Sequence, residues 1–445
     1  MKILFVSANT AVDPFPVYPL GMTTVAAALE EHGHTVHCYD PLAEQDSAPW
    51  NILAETIRAF HPDVIGIAIR NIDSINRLAD DRNLLHPVIR MAECCKTNAP
   101  ATPLVLGGGG FTLAPDSLLK LCHADYGLTG PGEHTFPALL EQLASGTPPD
   151  APLLCGDAPV AVPRSAVYPE ELLTYYNNET HMIPIQTKRG CPFSCAYCSY
   201  PALEGRCMRY RDPAETAAEM RAIAAQCPGV MIFLTDSIFN DPAKEYHKLL
   251  HELDGTIPFT GFLTPYKLTG EDISLLAEKG MISAELGIDG ASDRALQTLG
   301  KNFLFAEAAE CAEKLRDAGI SVTANFLFGL PDETVEDVEE GIANIKSLGN
   351  ISSVIFSGVR IIPHTPLYHR AEEENLIPAD WDPSEELYYP NPALPPEILN
   401  GMLSRAFAED PNCIFPPHSK REALAKIHKF GFAKLKKLFP GGMRP

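Results

Sequence analysis

Three cysteines, Cys191, Cys195 and Cys198, fall within eight residues in the run Lys188-Arg189-Gly190-Cys191-Pro192-Phe193-Ser194-Cys195-Ala196-Tyr197-Cys198. Spaced C-x3-C-x2-C, their thiolates can converge on one metal centre from a single loop, and thiolate-rich sites of this kind select iron–sulfur or zinc. Structural zinc closes four ligands, and no second pair of Cys or His at finger spacing follows. Three cysteines leave one iron of a cubane open for a substrate or cosubstrate. The remaining cysteines (Cys38, Cys94, Cys95, Cys122, Cys155, Cys207, Cys227, Cys311 and Cys413) are scattered, and each is expected to pack as a small buried side chain.

Such a loop aims its thiolates only if rigid elements hold its two ends. From residue 183 short apolar runs alternate with helical patterns, with strands expected at 183–187, 230–235, 259–264, 283–288, 321–328 and 353–361. Helices are expected between them, for instance at 213–225, 271–279 and 306–318. Six βα units predict a (β/α)6 partial TIM barrel over 183–377, with functional residues at the C-terminal ends of its strands. Upstream, residues 1–145 alternate strand patterns at 2–8, 35–39, 64–69, 103–106 and 126–129 with helical patterns at 22–31, 51–60, 84–95 and 136–144. This reads as an α/β doubly wound domain in flavodoxin-like, Rossmann-like order. Residues 146–182, rich in proline and small side chains, read as a linker or strap, and 378–445 as a small helical C-terminal extension.

With Tyr197 just before the third cysteine, and with its place after the first barrel strand, the cysteine run resembles the signature of the radical S-adenosylmethionine (SAM) superfamily. The resemblance implies a [4Fe–4S] cluster on Cys191, Cys195 and Cys198, SAM chelating the open iron, and Tyr197 against the adenine. Further matches run in the family's order. Phe233-Leu234-Thr235-Asp236-Ser237-Ile238-Phe239-Asn240 resembles the second-strand segment of the branch fused to cobalamin domains, with Asp236 or Ser237 the candidate for the SAM amino group. Glu285, in Ala284-Glu285-Leu286-Gly287-Ile288-Asp289, is placed near the ribose or methionine part of SAM, and Asn325 on the fifth strand joins the SAM set. Phe328-Gly329-Leu330-Pro331-Asp332-Glu333-Thr334 resembles the turn whose backbone borders the adenosyl group, which puts Gly329, Leu330 and Pro331 there. Taken alone, Glu285 is equally a salt-bridge partner at a strand end and Gly329 a plain turn glycine.

Glycines at the C-terminal edge of a doubly wound sheet let backbone approach a large flat cofactor. Here they are Gly107-Gly108-Gly109-Gly110 and Gly130-Pro131-Gly132-Glu133, and together with Tyr18-Pro19-Leu20-Gly21 they resemble the cobalamin-binding domain that precedes many radical SAM barrels. A nucleotide-binding domain is the competitor, but the first strand runs into Ser7-Ala8-Asn9-Thr10 with no G-x-G-x-x-G and no Walker lysine. The implied cobalamin set is Thr10, Tyr18, Leu20, Gly21, Arg70, Asn71, Gly108, Gly109, Gly110, Gly130, Gly132 and Glu133. No Asp-x-His-x-x-Gly is present to ligate cobalt from below, and Ile69-Arg70-Asn71-Ile72-Asp73 is expected near that lower face. For Arg70 an ion pair with Asp73 or Asp63 is the alternative.

The formal charge of −22 disfavours a general nucleic-acid binder. No apolar run reaches the roughly 20 residues of a spanning helix, so the expected compartment is the cytoplasm. Basic residues crowd the end of the chain, where 420–439 carries a helical apolar stripe through Leu424, Ile427, Leu435 and Leu438. That segment reads as a helix capping the barrel, or as one that docks on an anionic membrane surface or an acidic partner.

The resemblance implies that one electron from a flavodoxin- or ferredoxin-type donor cleaves SAM, that the resulting 5′-deoxyadenosyl radical takes hydrogen from an unactivated carbon, and that methylcobalamin methylates that carbon. The acceptor is a small metabolite, natural product or lipid. Cyclisation or rearrangement without methyl transfer, polar methylation, and a non-catalytic cluster- or corrinoid-binding sensor are the alternatives, and His364 and Tyr266 are guesses at barrel-mouth proton carriers. Protein reconstituted with iron and sulfide under anaerobic conditions is expected to absorb in the visible and to retain iron; a colourless preparation with stoichiometric zinc would contradict the cluster assignment.

Overall fold

The computed structural model describes residues 1–12, 15–44, 49–79, 83–156 and 162–416. The chain builds two parallel sheets. The first consists of β1 (Lys2–Ser7), β2 (Thr35–Tyr39), β3 (Val64–Ala68), β4 (Leu104–Gly107), β5 (Tyr126–Thr129) and β6 (Leu153–Cys155), in the order β2-β1-β3-β4-β5-β6. Apolar runs such as Ile3-Leu4-Phe5-Val6 form strands because both faces are covered. Ile3, Phe5, Val64 and Val105 pack under the helices Leu20–Glu31 and Gly132–Ala144. Leu4, Val6, Ile65, Leu104 and Leu106 pack under Pro49–Phe60 and Leu85–Asn98. The first five strands follow the flavodoxin order the pattern predicts.

The sixth strand comes from the stretch expected to be a linker. Leu153 and Leu154 pair with Gly127 and Leu128, and the helix Glu170–Thr180 follows. A three-residue strand is too short to show alternation, and the helix buries only Leu172, Leu173, Tyr175, Tyr176 and Thr180 among its polar residues, which is why the sequence pattern hides both. The rings of Tyr18 and Tyr168 flank Tyr175 and Tyr176 in an aromatic cluster that cements this strap to the first domain.

The second sheet is the partial barrel. Its strands are β7 (Met182–Ile185), a short antiparallel hairpin of β8 (Lys188–Arg189) and β9 (Arg209–Tyr210), then β10 (Met231–Leu234), β11 (Phe259–Leu263), β12 (Ser283–Asp289), β13 (Ser321–Phe328), β14 (Ser352–Ser357) and β15 (Cys413–Ile414). The parallel order is β15-β14-β13-β12-β11-β10-β7, with β7 and β15 at its open edges. All six expected strands are present, and the C-terminal extension adds a seventh. Along β13, Val322, Ala324, Phe326 and Phe328 are buried under the helical layer, while Ser321, Thr323, Asn325 and Leu327 alternate with them and remain half-buried inside the barrel. Among the described residues no helix is long and apolar enough to cross a membrane, and the basic 420–439 segment lies outside them.

Two buried ion pairs join the halves. Glu133, just beyond β5, accepts from Arg189 at 2.8 Å, and Asp73, beyond β3, pairs with Arg360 beyond β14. Both pairs are at most 10% exposed, so a wrong docking would strand a charge in the interior. Gly108 fixes the edge between them. It sits at φ +103°, and a Cβ there would overlap the carbonyl oxygen of Ile69. Gly108→Ala is expected to cost about 1–3 kcal/mol in backbone strain alone and to lower the unfolding midpoint measured by circular dichroism.

Candidate active site

The cysteine loop is pinned from below. Asp236, fully buried at the end of β10, accepts hydrogen bonds from the Thr187 amide at 2.7 Å, the Thr187 hydroxyl at 2.6 Å and the Lys188 amide at 3.0 Å. Lys188 is itself buried and pairs with Asp241 at 3.0 Å, donates to the Phe239 carbonyl, and lies over the rings of Tyr210, Phe239 and Tyr246. Three of the acceptor positions of Asp236 are thus taken by the loop. Ser237 donates to the Gly190 carbonyl at 2.7 Å and likewise serves the loop. Above these anchors the Cys191 amide donates to Gly205 at 3.0 Å and the Ala196 amide to Leu299 at 2.9 Å.

Cys191 is buried and Cys195 and Cys198 half-buried, all three as free thiols. Burial pushes the Cys198 thiol up to about 12 and raises that of Cys191, and Cys195 adds repulsion to both. Two thiols that resist ionisation beside a third suit a cationic cluster that would offset their charge. In a cubane each of the three thiolates would take a different iron. The other cysteines divide: Cys95, Cys122, Cys227, Cys311 and Cys413 are buried as expected, Cys38 and Cys94 are half-buried, and Cys155 and Cys207 are exposed. The last two lie at a sheet edge and in a hairpin loop, where strand length rather than residue type decides exposure.

Beside the loop, Tyr197, Ala196, Leu299, Leu330, Pro331, Val359 and Arg370 are among the residues lining a cavity of about 170 Å³. Gly329 turns there at φ +82°, and the buried Glu333 carboxylate accepts from the amides of Gly329 at 2.6 Å and Leu330 at 3.0 Å. Asn391 of the C-terminal extension donates to the carbonyls of Leu330 and Glu333, closing the turn. Lys301 lies over the Tyr197 ring and pairs with Asp289. Glu285 and Asn325 face the barrel interior, and no described residue donates a hydrogen bond to the Glu285 carboxylate, which burial pushes up to about 7. The salt-bridge alternative for Glu285 thus has no partner. Tyr266 packs edge-on to Phe193 of the cysteine loop at 5.8 Å, whereas His364 is exposed at φ +66°.

At the facing edge of the first domain, Gly21, Arg70, Asn71, Gly108 and Gly109 are exposed, and Thr10 is partly so. Around Gly21 the space is open, and a Cβ on Gly109 would lie 3.8 Å from Leu203 of the barrel domain. Arg70 has neither proposed partner: Asp63 accepts from the Lys2 amide at 2.7 Å, and Asp73 pairs with Arg360. Its guanidinium is pushed below its ordinary value by burial among protein, with Tyr200 opposite it, although both side chains are exposed on a cleft wall.

Five members of the expected cobalamin set have other work. Tyr18 is buried and donates to the Val167 carbonyl at 3.1 Å, Leu20 packs on the core, and Glu133 is paired with Arg189. Gly110 backs onto the chain at Arg70 and Asn71, and a Cβ on Gly132 would meet Val25 at 3.1 Å. Glycines that let helices approach a strand look, in sequence, like glycines that admit a cofactor. Gly130 turns at φ +71° with its amide donating to Thr112 at 3.1 Å.

The B12 binding domain family matches residues 6–140, and the Radical SAM superfamily matches residues 185–345. The chain belongs to the radical SAM superfamily, with a B12 binding domain ahead of the barrel. It is 24% identical to an uncharacterized methyltransferase of Pyrococcus horikoshii, over 81% of this chain and 79% of that protein. Tryptophan 2-C-methyltransferase of Streptomyces laurentii is also 24% identical, over 81% and 73%. Among solved structures, the radical SAM methyltransferase TsrM from Kitasatospora setae, with cobalamin and a [4Fe–4S] cluster bound, superposes with a TM-score of 0.80 at 21% identity over 93% of each chain.

Within the radical SAM barrel, sequence reasoning assigned no role to Arg189, Gln186, Glu204 and Tyr200, whose partners emerge only on folding: Glu133 for Arg189, Glu204 for Gln186, the Gly190 amide for Glu204, and the neighbourhood of Arg70 for Tyr200. Glu285 supplies a pH signature. A carboxyl whose folded pKa of about 7 lies above its ordinary 4.5 adds stability below pH 4.5 and loses it as the pH rises through 7. Glu285→Gln is expected to flatten the decline in melting temperature of the cofactor-free protein over that window, and to weaken SAM binding roughly tenfold, measured by calorimetry.

Proposed function

We propose that this enzyme is a cobalamin-dependent radical SAM C-methyltransferase acting on an unactivated carbon of a small molecule. The observation that carries the reading is the facing of two edges. The exposed glycine edge of the B12 domain, with Arg70 and Asn71, faces Tyr200 and Leu203, which follow the cysteine loop of the barrel. Two cofactors held there act on one substrate, as methyl transfer after hydrogen abstraction demands. Cobalamin, the cluster and SAM supply the one-electron cleavage and the methyl group when bound. The chain's part is to bind and orient. Cys191, Cys195 and Cys198 would hold the cluster, Tyr197, Gly329, Leu330 and Pro331 the adenine, and Glu285 and Asn325 the ribose or methionine part of SAM. Thr10, Gly21, Arg70, Asn71, Gly108, Gly109 and Gly130 would border the corrin. The B12 domain has no histidine motif, and Arg70, exposed just beyond β3, is a side chain that would stand beside the corrin.

On neighbouring barrel strands, the rings of Phe233 and Phe262 lie 5.5 Å apart and half-buried. The relatives named above as methyltransferases support methyl transfer over cyclisation. An external flavodoxin- or ferredoxin-type donor and a cytoplasmic setting complete the reading. Product analysis tests it. Turnover under strong reductant is expected to yield S-adenosylhomocysteine together with 5′-deoxyadenosine. Deoxyadenosine alone would indicate rearrangement or cyclisation, S-adenosylhomocysteine alone polar methylation, and no SAM turnover a sensor; each of these would overturn the proposal.

A further inference from the structure

A continuous chain of buried and half-buried polar groups runs from the edge of the B12 domain to the first cluster cysteine. Glu133 accepts from Nη2 of Arg189 at 2.8 Å, and the same nitrogen donates to Oε1 of Gln186 at 3.2 Å. Nε2 of Gln186 donates to Oε1 of Glu204 at 2.9 Å, and Oε2 of Glu204 accepts from the Gly190 amide at 3.1 Å. The next residue is Cys191, whose own amide donates to Gly205, the neighbour of Glu204. At its far end the chain starts from Glu133, in the first turn of the helix that follows β5 and the Gly130 turn.

Three features make this more than packing. Arg189 and Glu133 are 10% and 6% exposed, and a buried ion pair returns little net stability for its desolvation, so its physical value lies in specifying one docking register. Nη1 of Arg189 is buried with no partner among the described residues, which leaves the guanidinium one acceptor short and able to gain by a small rearrangement. Gly190 admits no slack on the other side, since at φ +97° a Cβ would overlap the Cys207 carbonyl oxygen. A displacement of Glu133 is therefore passed along the chain to Gly190, because breaking any link strands a buried donor or acceptor at roughly 1–3 kcal/mol.

We propose that Arg189, Gln186 and Glu204 are positioning residues that couple the cobalamin site to the cluster loop, so that occupancy of one site alters the affinity for SAM at the other. This rests on the reading that both cofactors bind. Linkage requires the effect to be reciprocal, and couplings of this kind amount to roughly 5-fold or more.

The test uses the full-length protein reconstituted with iron and sulfide, and measures the Kd for SAM with and without saturating hydroxocobalamin, alongside the electron paramagnetic resonance spectrum of the reduced cluster. In the wild type, cobalamin is expected to shift the SAM Kd roughly 5-fold or more and to change the cluster signal. In Gln186→Leu and in Glu204→Gln both responses should vanish, while iron content and hydroxocobalamin affinity measured without SAM stay at wild-type values. A wild-type ratio of one, or an undiminished ratio in both variants, overturns the coupling alone. Loss of iron in both variants also overturns it, since the chain would then merely support the loop. A wild type that takes up no cobalamin overturns the coupling and the proposed function together.

Discussion

The site depends on one buried carboxylate. Asp236 takes three hydrogen bonds from Thr187 and Lys188 at the point where β7 gives way to the cysteine loop, and the Lys188–Asp241 pair continues the anchorage into the barrel wall. A carboxylate inside protein is tolerable only when such donors surround it. Satisfying it leaves the loop one path off the sheet, and that path sets where Cys191, Cys195 and Cys198 can stand. The same economy recurs at Glu333, whose carboxylate ties the Gly329–Leu330 amides. Acidic side chains here shape backbone near the SAM cavity, which is a positioning role distinct from contact with substrate.

The two domains meet edge to edge, at the C-terminal ends of both parallel sheets. In each sheet those ends carry loops rather than packed helices, so this is where exposed glycine and an exposed guanidinium such as Arg70 can persist in an otherwise dense molecule. The ion pairs Glu133–Arg189 and Asp73–Arg360 flank that meeting and fix its register, which turns two separate binding edges into one cleft. The aromatic strap through Tyr168, Tyr175 and Tyr176 holds the domains from the side, with Tyr176 donating to Asp40 at 2.9 Å. A linker free of structure could not keep a methyl donor and a radical source in fixed relation.

Much of this was legible from residue order. Strand after strand in both sheets follows apolar runs long enough to show period, and the cysteine spacing speaks for itself because ligation by neighbouring thiolates is a local affair. For Asp236, Glu133, Tyr18, Gly110 and Gly132 the residue type alone did not reveal a contact within the protein. Each has the residue type that a cofactor would recruit, yet each is consumed by a partner distant in sequence: Thr187 and Lys188, Arg189, Val167, the chain at Arg70, and Val25. The strap helix and β6 escaped because three strand residues and an irregular apolar face leave no periodic trace.

The sequence by itself determined the elements, their parallel order and the three thiolates, since these follow from short-range periodicity and from ligand spacing within one loop. Only the tertiary structure decided which polar side chains remain free. Glu285 finds no hydrogen-bond donor among the described residues while Asp236 and Glu133 do, because availability depends on whether folding brings a complementary donor or acceptor within hydrogen-bond reach, and that is a property of residues far apart in the chain.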